Sequence, residues 1–222
     1  MSPHEAFNER GFVWFRGALS DAELSTIEAQ CEFGARPGYR PDANQKLVSM
    51  ISIGSTLGDL SQKLISGAMP VRLVAFNKSE DSNWSVPWHQ DRVIAVENKH
   101  KLKSFQNWTK QGSYWHAEPP ERLLQEMMFA RIHFDRADEG NGAMELSVGS
   151  HRLGKVAAHH AKEEAERRSI EVCHASRGDV LFVKALTLHR SGRARDVSRR
   201  RALRIDYAAS TLPPPLKWAI RT

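Results

Sequence analysis

The chain has 222 residues, 41% of them hydrophobic, and carries a formal net charge of +6 from 32 Lys plus Arg against 26 Asp plus Glu. That length is expected to build one domain over residues 1–222 with a substantial core, and the two distant thiols, Cys31 and Cys173, exclude a disulfide framework or a cysteine zinc site. No stretch approaches the roughly 18 apolar residues of a membrane span, and Met1-Ser2-Pro3-His4-Glu5 lacks the basic start of a secretory signal, so a protein of the reduced cytoplasm is expected.

Phe12-Val13-Trp14-Phe15 is a short apolar run that predicts a strand. Ser20-Asp21-Ala22-Glu23 is a capping-box pattern, with Leu24, Ile27 and Cys31 following at helical spacing, which predicts a helix of about twelve to fifteen residues from Asp21. Leu57, Leu60 and Leu64 predict a second helix ending near Gly67. Pro119-Pro120, followed by Leu123, Leu124, Met127 and Met128, predicts a third. Residues 71–76, 131–134, 143–148, 170–173, 180–183 and 202–207 alternate or run apolar and predict strands. Turn chemistry at Gly140-Asn141-Gly142 and Arg177-Gly178-Asp179 separates some of them. Residues 160–169 form a charged surface segment with a helical turn, and 97–118 reads as a long loop suited to covering a substrate. Helices first and then many short strands predict an α+β chain around an antiparallel sandwich or barrel, of which the jelly roll is one form.

His89 and Asp91 stand in Trp88-His89-Gln90-Asp91, and His189 stands in Leu188-His189-Arg190-Ser191-Gly192. On a strand, residues i and i+2 share a face, so His89 and Asp91 can reach one ion while Gln90 points away. His189 follows the apolar run Val180-Leu181-Phe182-Val183 and can be delivered by another strand. Two imidazoles and one carboxylate are the ligand set of a mononuclear non-haem Fe(II) centre with open positions. His-x-Asp alone is common in a chain with ten histidines; Arg200 adds weight. It lies a strand length beyond His189, where a guanidinium can grip a carboxylate through two parallel hydrogen bonds. A metal with an arginine behind it suits a 2-oxo acid that chelates at one end and is anchored at the other. Arg199 and Arg201 compete for that role, and strand alternation admits one register.

Other features read more plainly. His151 in Gly149-Ser150-His151 is expected to be structural, His133 to be core or pocket lining, and His159-His160 to be surface. His116 and Trp115 belong to the 97–118 segment. The cluster Arg190, Arg193, Arg195, Arg199, Arg200, Arg201 and Arg204 can attract nucleic acid or anionic small molecules. It lacks interleaved aromatics, and a solvated loop and strand edge is the ordinary reading of most of it.

Several blocks in order resemble the phytanoyl-CoA dioxygenase family of Fe(II)- and 2-oxoglutarate-dependent oxygenases. They are Phe76-Asn77-Lys78, Asn83-Trp84, Val86-Pro87-Trp88-His89-Gln90-Asp91, Asn141-Gly142-Ala143-Met144-Glu145 and Gly149-Ser150-His151-Arg152-Leu153-Gly154, then Gly178-Asp179-Val180-Leu181-Phe182, His189-Arg190-Ser191-Gly192 and Arg200-Arg201-Ala202-Leu203. The resemblance implies a double-stranded β-helix core of the jelly-roll type with flanking helices. It implies His89, Asp91 and His189 as iron ligands and Arg200 as the clamp for the far carboxylate of 2-oxoglutarate. Ser191 and Trp108 match two further positions that the family uses around the cosubstrate. The implied reaction is hydroxylation of an unactivated C–H bond with release of succinate and CO2. Asp91 occupies the position that related halogenases leave open for halide. The family acts on acyl thioesters, amino acids, ectoine-like solutes and natural products, so the likeness leaves the substrate open. The basic residues point to an acidic small molecule. A catalytically silent small-molecule binder and a nucleic-acid-modifying oxygenase are the competing readings.

Overall fold

Two long strands with chemically opposite faces organise the molecule. The computed structural model describes residues 1–34, 37–196 and 199–220. Within them run strands β1 (Phe12–Phe15), β2 (Gly38–Tyr39), β3 (Met69–Lys78), β4 (Val86–His89), β5 (Ile94–Val96), β6 (Gln106–Gln111), β7 (Tyr114–Glu118), β8 (Met127–His133), β9 (Met144–Ser147), β10 (Ile170–Val172), β11 (Val180–Lys184), β12 (His189–Ser191) and β13 (Arg200–Ala208). Helices are α1 (Pro3–Arg10), α2 (Asp21–Glu28), α3 (Gln45–Ile51), α4 (Thr56–Leu64), α5 (Glu121–Gln125) and α6 (Ala161–Glu166). A six-stranded sheet has the order β1-β11-β8-β13-β3-β2, a four-stranded sheet β10-β9-β12-β4, and a three-stranded sheet β5-β7-β6. Every pairing is antiparallel. The two larger sheets enclose one cavity between them, the double-stranded β-helix arrangement that the resemblance implied.

Alternation along β13 separates fold from site. Leu203, Ile205 and Tyr207 join Leu73 and Ala75 of β3 and Ala130 and Ile132 of β8 in one apolar cluster. Phe7, Leu24, Ile27, Leu47, Ile51, Leu57 and Leu64 from α1 to α4 pack into the same cluster, so those helices cover the outer face of the six-stranded sheet. Burial of a leucine or phenylalanine there contributes about 1.5–3 kcal/mol. The Tyr207 hydroxyl donates to Ile51 O at 2.8 Å and ties α3 to the sheet. The opposite face of β13 presents Arg200, Ala202, Arg204 and Asp206 to the cavity side.

Several elements differ from the sequence expectation. α1 has a full capping box between Ser2 and Glu5 with Pro3 in its first turn, a signal present in the sequence and unread there. α2 is eight residues long and not twelve to fifteen. Beyond it Gln30 and Cys31 N–H donate to Ile27 and Glu28 O in tight turns, which still brings Cys31 into the core. α5 stops at Gln125, and Met127 and Met128 open the wholly buried strand β8. The 97–118 segment is a hairpin, β6–β7, paired to β5 and packed on its own apolar cluster; no residue of it lines the cavity between the larger sheets. Three arginines of the basic cluster are not solvated: Arg200, Arg201 and Arg204 are buried. Arg201 is engaged by Asp135 and Glu28 on the outer side.

Candidate metal centre and cosubstrate cavity

β4 ends at His89 and β12 begins at His189, and these two residues are registered partners across the strand pair. Their ring centroids lie 4.1 Å apart. His89 Nδ1 is 2.8 Å from Pro87 O, and His189 Nδ1 is 2.9 Å from Thr187 O. A carbonyl oxygen only accepts, so each Nδ1 carries a proton and each Nε2 is turned inward. Asp91 arrives differently from expectation, because β4 has already ended. The chain turns instead, with Asp91 N–H donating to Ala185 O at 3.2 Å. Gln90 does point away, its amide donating to Gly154 O and Leu186 O. His89, Asp91 and His189 each place a donor atom within 4.8 Å of the others, and they are the one such group among the described residues.

The electrostatics suit a divalent ion. Burial, reinforced by neighbouring His189, lowers the His89 pKa to about 4, so its ring is neutral near pH 7. Burial alone would raise the Asp91 pKa, but Arg204 and then His189 outweigh it and hold the carboxyl well below the usual carboxylate range. Neutral imidazole and ionised carboxylate are the protonation states that iron needs. Arg204 Nη1 lies 2.5 Å from Asp91 Oδ2, and its Nε lies 2.5 Å from Asp206 Oδ1. Arg72 holds the other Asp206 oxygen at 3.2 Å, and Phe129 lies beneath the Arg204 guanidinium.

Arg200 marks the other end of the cavity. It is 2% exposed, with Nε 3.3 Å from Asn141 O and Nη2 3.4 Å from Ser191 Oγ. Lys78 is its registered partner on β3. Lys78 Nζ donates to Trp84 O at 2.8 Å, to Gly192 O, and to Ser191 Oγ at 3.4 Å. Ser191 in turn donates to Gly142 O at 2.9 Å. Gly142 sits at φ +71°, and a Cβ there would meet Gly192 O at 2.5 Å, so a larger residue would push apart the two segments that carry these groups. No carboxylate among the described residues pairs with Arg200 or Lys78. Burial and the Arg200 charge bring the Lys78 pKa down to about 7, and burial brings Arg200 to about 10.

Four of the six residues singled out around the metal and cosubstrate, His89, Asp91, His189 and Arg200, therefore line one cavity, and Ser191 makes a fifth. Trp108 does not reach it. That residue lies on β6, donates its indole N–H to Phe105 O at 3.1 Å and stacks near Phe105. Chain distance had suggested the match; the hairpin carries the side chain elsewhere. Trp84 is the tryptophan that lines the cavity. Lys78, Arg131 and Arg204 were missed in the sequence, although Arg204 shares the parity of Arg200. Among the remaining histidines, His151 bonds Asn8 O and His133 is core beside Trp14. His116 is buried on β7 of the hairpin, while His159 and His160 are exposed.

The model for phytanoyl-CoA dioxygenase matches residues 7–202. The chain belongs to the phytanoyl-CoA dioxygenase family. AviO1 from Streptomyces viridochromogenes Tue57 is 18% identical over 96% of each chain, with a TM-score of 0.66. The non-haem α-ketoglutarate-dependent epimerase SnoN of nogalamycin biosynthesis is 16% identical, with 93% of this chain on 79% of that one and a TM-score of 0.68. EctD from S. alaskensis, solved with 2-oxoglutarate and 5-hydroxyectoine, is 16% identical, with 93% of this chain on 74% of that one and a TM-score of 0.68. At these identities the likeness establishes the shared fold. No curated protein sequence gives a significant match.

Proposed function

We propose that residues 1–222 act as one Fe(II)- and 2-oxoglutarate-dependent dioxygenase that hydroxylates an unactivated C–H bond of a small organic molecule, an amino acid, natural product or acyl derivative. One observation carries the reading: three convergent metal ligands and a buried arginine without a carboxylate partner share a single cavity. When bound, ferrous ion supplies oxygen activation, with 2-oxoglutarate oxidised to succinate and CO2.

The chain's own residues do the rest. His89, Asp91 and His189 would hold the ion through two imidazole nitrogens and one carboxylate. Their Nδ1 bonds to Pro87 O and Thr187 O fix the tautomers, and Arg204 fixes the Asp91 carboxylate. Arg200, with Lys78 and Ser191 beside it, binds the far carboxylate of the cosubstrate. Phe76, Phe129, Val86 and Met144 line the space between and exclude water. The family membership and the EctD and SnoN structures, which are named with 2-oxoglutarate or α-ketoglutarate, support this use of the cavity. The basic cluster gives little support to nucleic acid: Arg190, Arg201 and Arg204 are engaged by Glu145, by Asp135 and Glu28, and by Asp91 and Asp206.

The test is a substrate screen that reads succinate with Fe(II), 2-oxoglutarate, ascorbate and O2. Product mass separates hydroxylation, which adds one oxygen atom, from other outcomes of the same oxidation. His189→Ala and Asp91→Ala should lose both bound metal and turnover. Full succinate release by Asp91→Ala would contradict the ligand assignment, and a wild-type chain that releases none with any substrate would be a silent binder.

A further inference from the structure

Arg131 projects from β8 into the cavity, directly opposite Arg204 of β13. It is 8% exposed. Its Nε is sealed from solvent without an acceptor, and the guanidinium makes no hydrogen bond or ion pair among the described residues. The Phe76 ring, 5.1 Å away, is its recorded contact. Burial and the neighbouring Arg200 charge, with Arg204 adding to it, disfavour its charge, and Asp91 offsets only part of that. The other cavity cations are accounted for. Arg190 has Glu145, Arg204 has Asp91 and Asp206, Arg72 has Asp206, and Arg200 has Asn141 O and Ser191.

Like charges directly opposite on paired strands destabilise a sheet, and a buried guanidinium without a partner is a standing cost to the fold. Buried donors left unsatisfied call for an explanation. The register supplies one. Arg131 shares a row with Arg204, which grips Asp91 at the metal end, and the next cation along β13 on the same face is Arg200 at the far end. A molecule spanning from the metal ligands to Arg200 passes beside Arg131.

We infer that Arg131 is a second guanidinium for the cosubstrate, donating to a carboxylate of 2-oxoglutarate alongside Arg200 and so selecting a dianionic 2-oxo acid. The inference rests on the cavity being a 2-oxoglutarate site. Two planar forks around one dicarboxylate explain why this wall of the cavity carries more positive charge than its own acids balance.

The experiment is calorimetric binding to the full chain loaded with Mn(II), using 2-oxoglutarate and 2-oxopentanoate, which has the same carbon chain without the far carboxylate. The wild type should bind 2-oxoglutarate much more tightly than 2-oxopentanoate. Arg131→Met should lose about tenfold or more of its 2-oxoglutarate affinity and keep its affinity for 2-oxopentanoate. Melting of the metal-free protein is the second readout: Arg131→Met, freed of an unpaired charge, should melt higher than wild type. Equal 2-oxoglutarate binding by Arg131→Met would overturn the inference and leave the cavity reading standing. A lower melting temperature for that variant would make Arg131 a structural cation and also overturn it. Arg131→Lys must show the same selective loss, since it keeps the charge and loses the fork. A wild type that binds no 2-oxoglutarate would instead overturn the reading beneath.

Discussion

Replacing Arg204 by methionine is expected to damage stability and metal affinity together. The guanidinium lies between Asp91 and Asp206, 2.5 Å from an oxygen of each, and both acids are largely buried. Removing one partner from a buried pair costs about 3–5 kcal/mol, because a charge is left behind without compensation. Asp206 keeps Arg72, so the lower end of that range applies, about 3 kcal/mol. For a chain of this size that is a fall in Tm of roughly 10 °C. A ligand carboxylate that loses its orienting partner weakens metal binding by about 10- to 100-fold. The pH dependence has a definite sign. The folded pKa of Asp91 is depressed, so its contribution is present above the unfolded value of about 3.9 and is lost as pH falls through the folded value. Arg204→Met narrows that gap and flattens the acid limb of the stability curve. Urea unfolding of the metal-free protein at several pH values, with a Mn(II) titration of each variant, reads all three effects. Arg201→Met is the control: it breaks ion pairs to Asp135 and Glu28 on the outer side and should lower stability with metal affinity unchanged. A loss under about 1 kcal/mol for Arg204→Met, with wild-type metal affinity, would refute the reasoning.

Arg200→Ala should bind Mn(II) as the wild type does and weaken 2-oxoglutarate by about 10- to 100-fold, the worth of a charged hydrogen bond; calorimetry of both ligands separates the two. Trp108→Phe should leave cosubstrate affinity unchanged and lower the melting temperature, since the indole N–H is used within its own hairpin. Lys78 has a folded pKa of about 7, so cosubstrate affinity should fall as pH rises through 7 and the cation is lost; Lys78→Met should bind more weakly at pH 6 and show a flatter profile.

The candidate metal triad was legible because His89, Asp91 and His189 need no more than residue type and spacing to be proposed. Their manner of convergence was not. A sequence cannot show that β4 stops two residues short of Asp91 and that Asp91 reaches the cluster through a turn held by Ala185 O. Met127 and Met128 continued the helical spacing of Leu123 and Leu124, yet they begin a central strand. A strand buried on both faces reads as an unbroken apolar run, which periodicity does not distinguish from a buried helix. Arg204 could have been paired with Arg200 on parity alone, since four residues along a strand return to one face. Arg131 and Lys78 could not, because their place beside Arg204 and Arg200 depends on which strands flank β13. Trp108 failed for the opposite reason: counting along the chain ignored a hairpin that folds away from the ligands it follows.

The alternation along β13 carries a practical lesson for engineering. Arg200 and Arg204 line the cavity and Asp206 holds Arg204, while Leu203, Ile205 and Tyr207 pack in the core with the helices behind. Consecutive positions thus face unlike surroundings, one the cavity and the next the packed interior. A library that varies odd and even sites of this strand separately can retune what the protein accepts without gambling its architecture in the same draw.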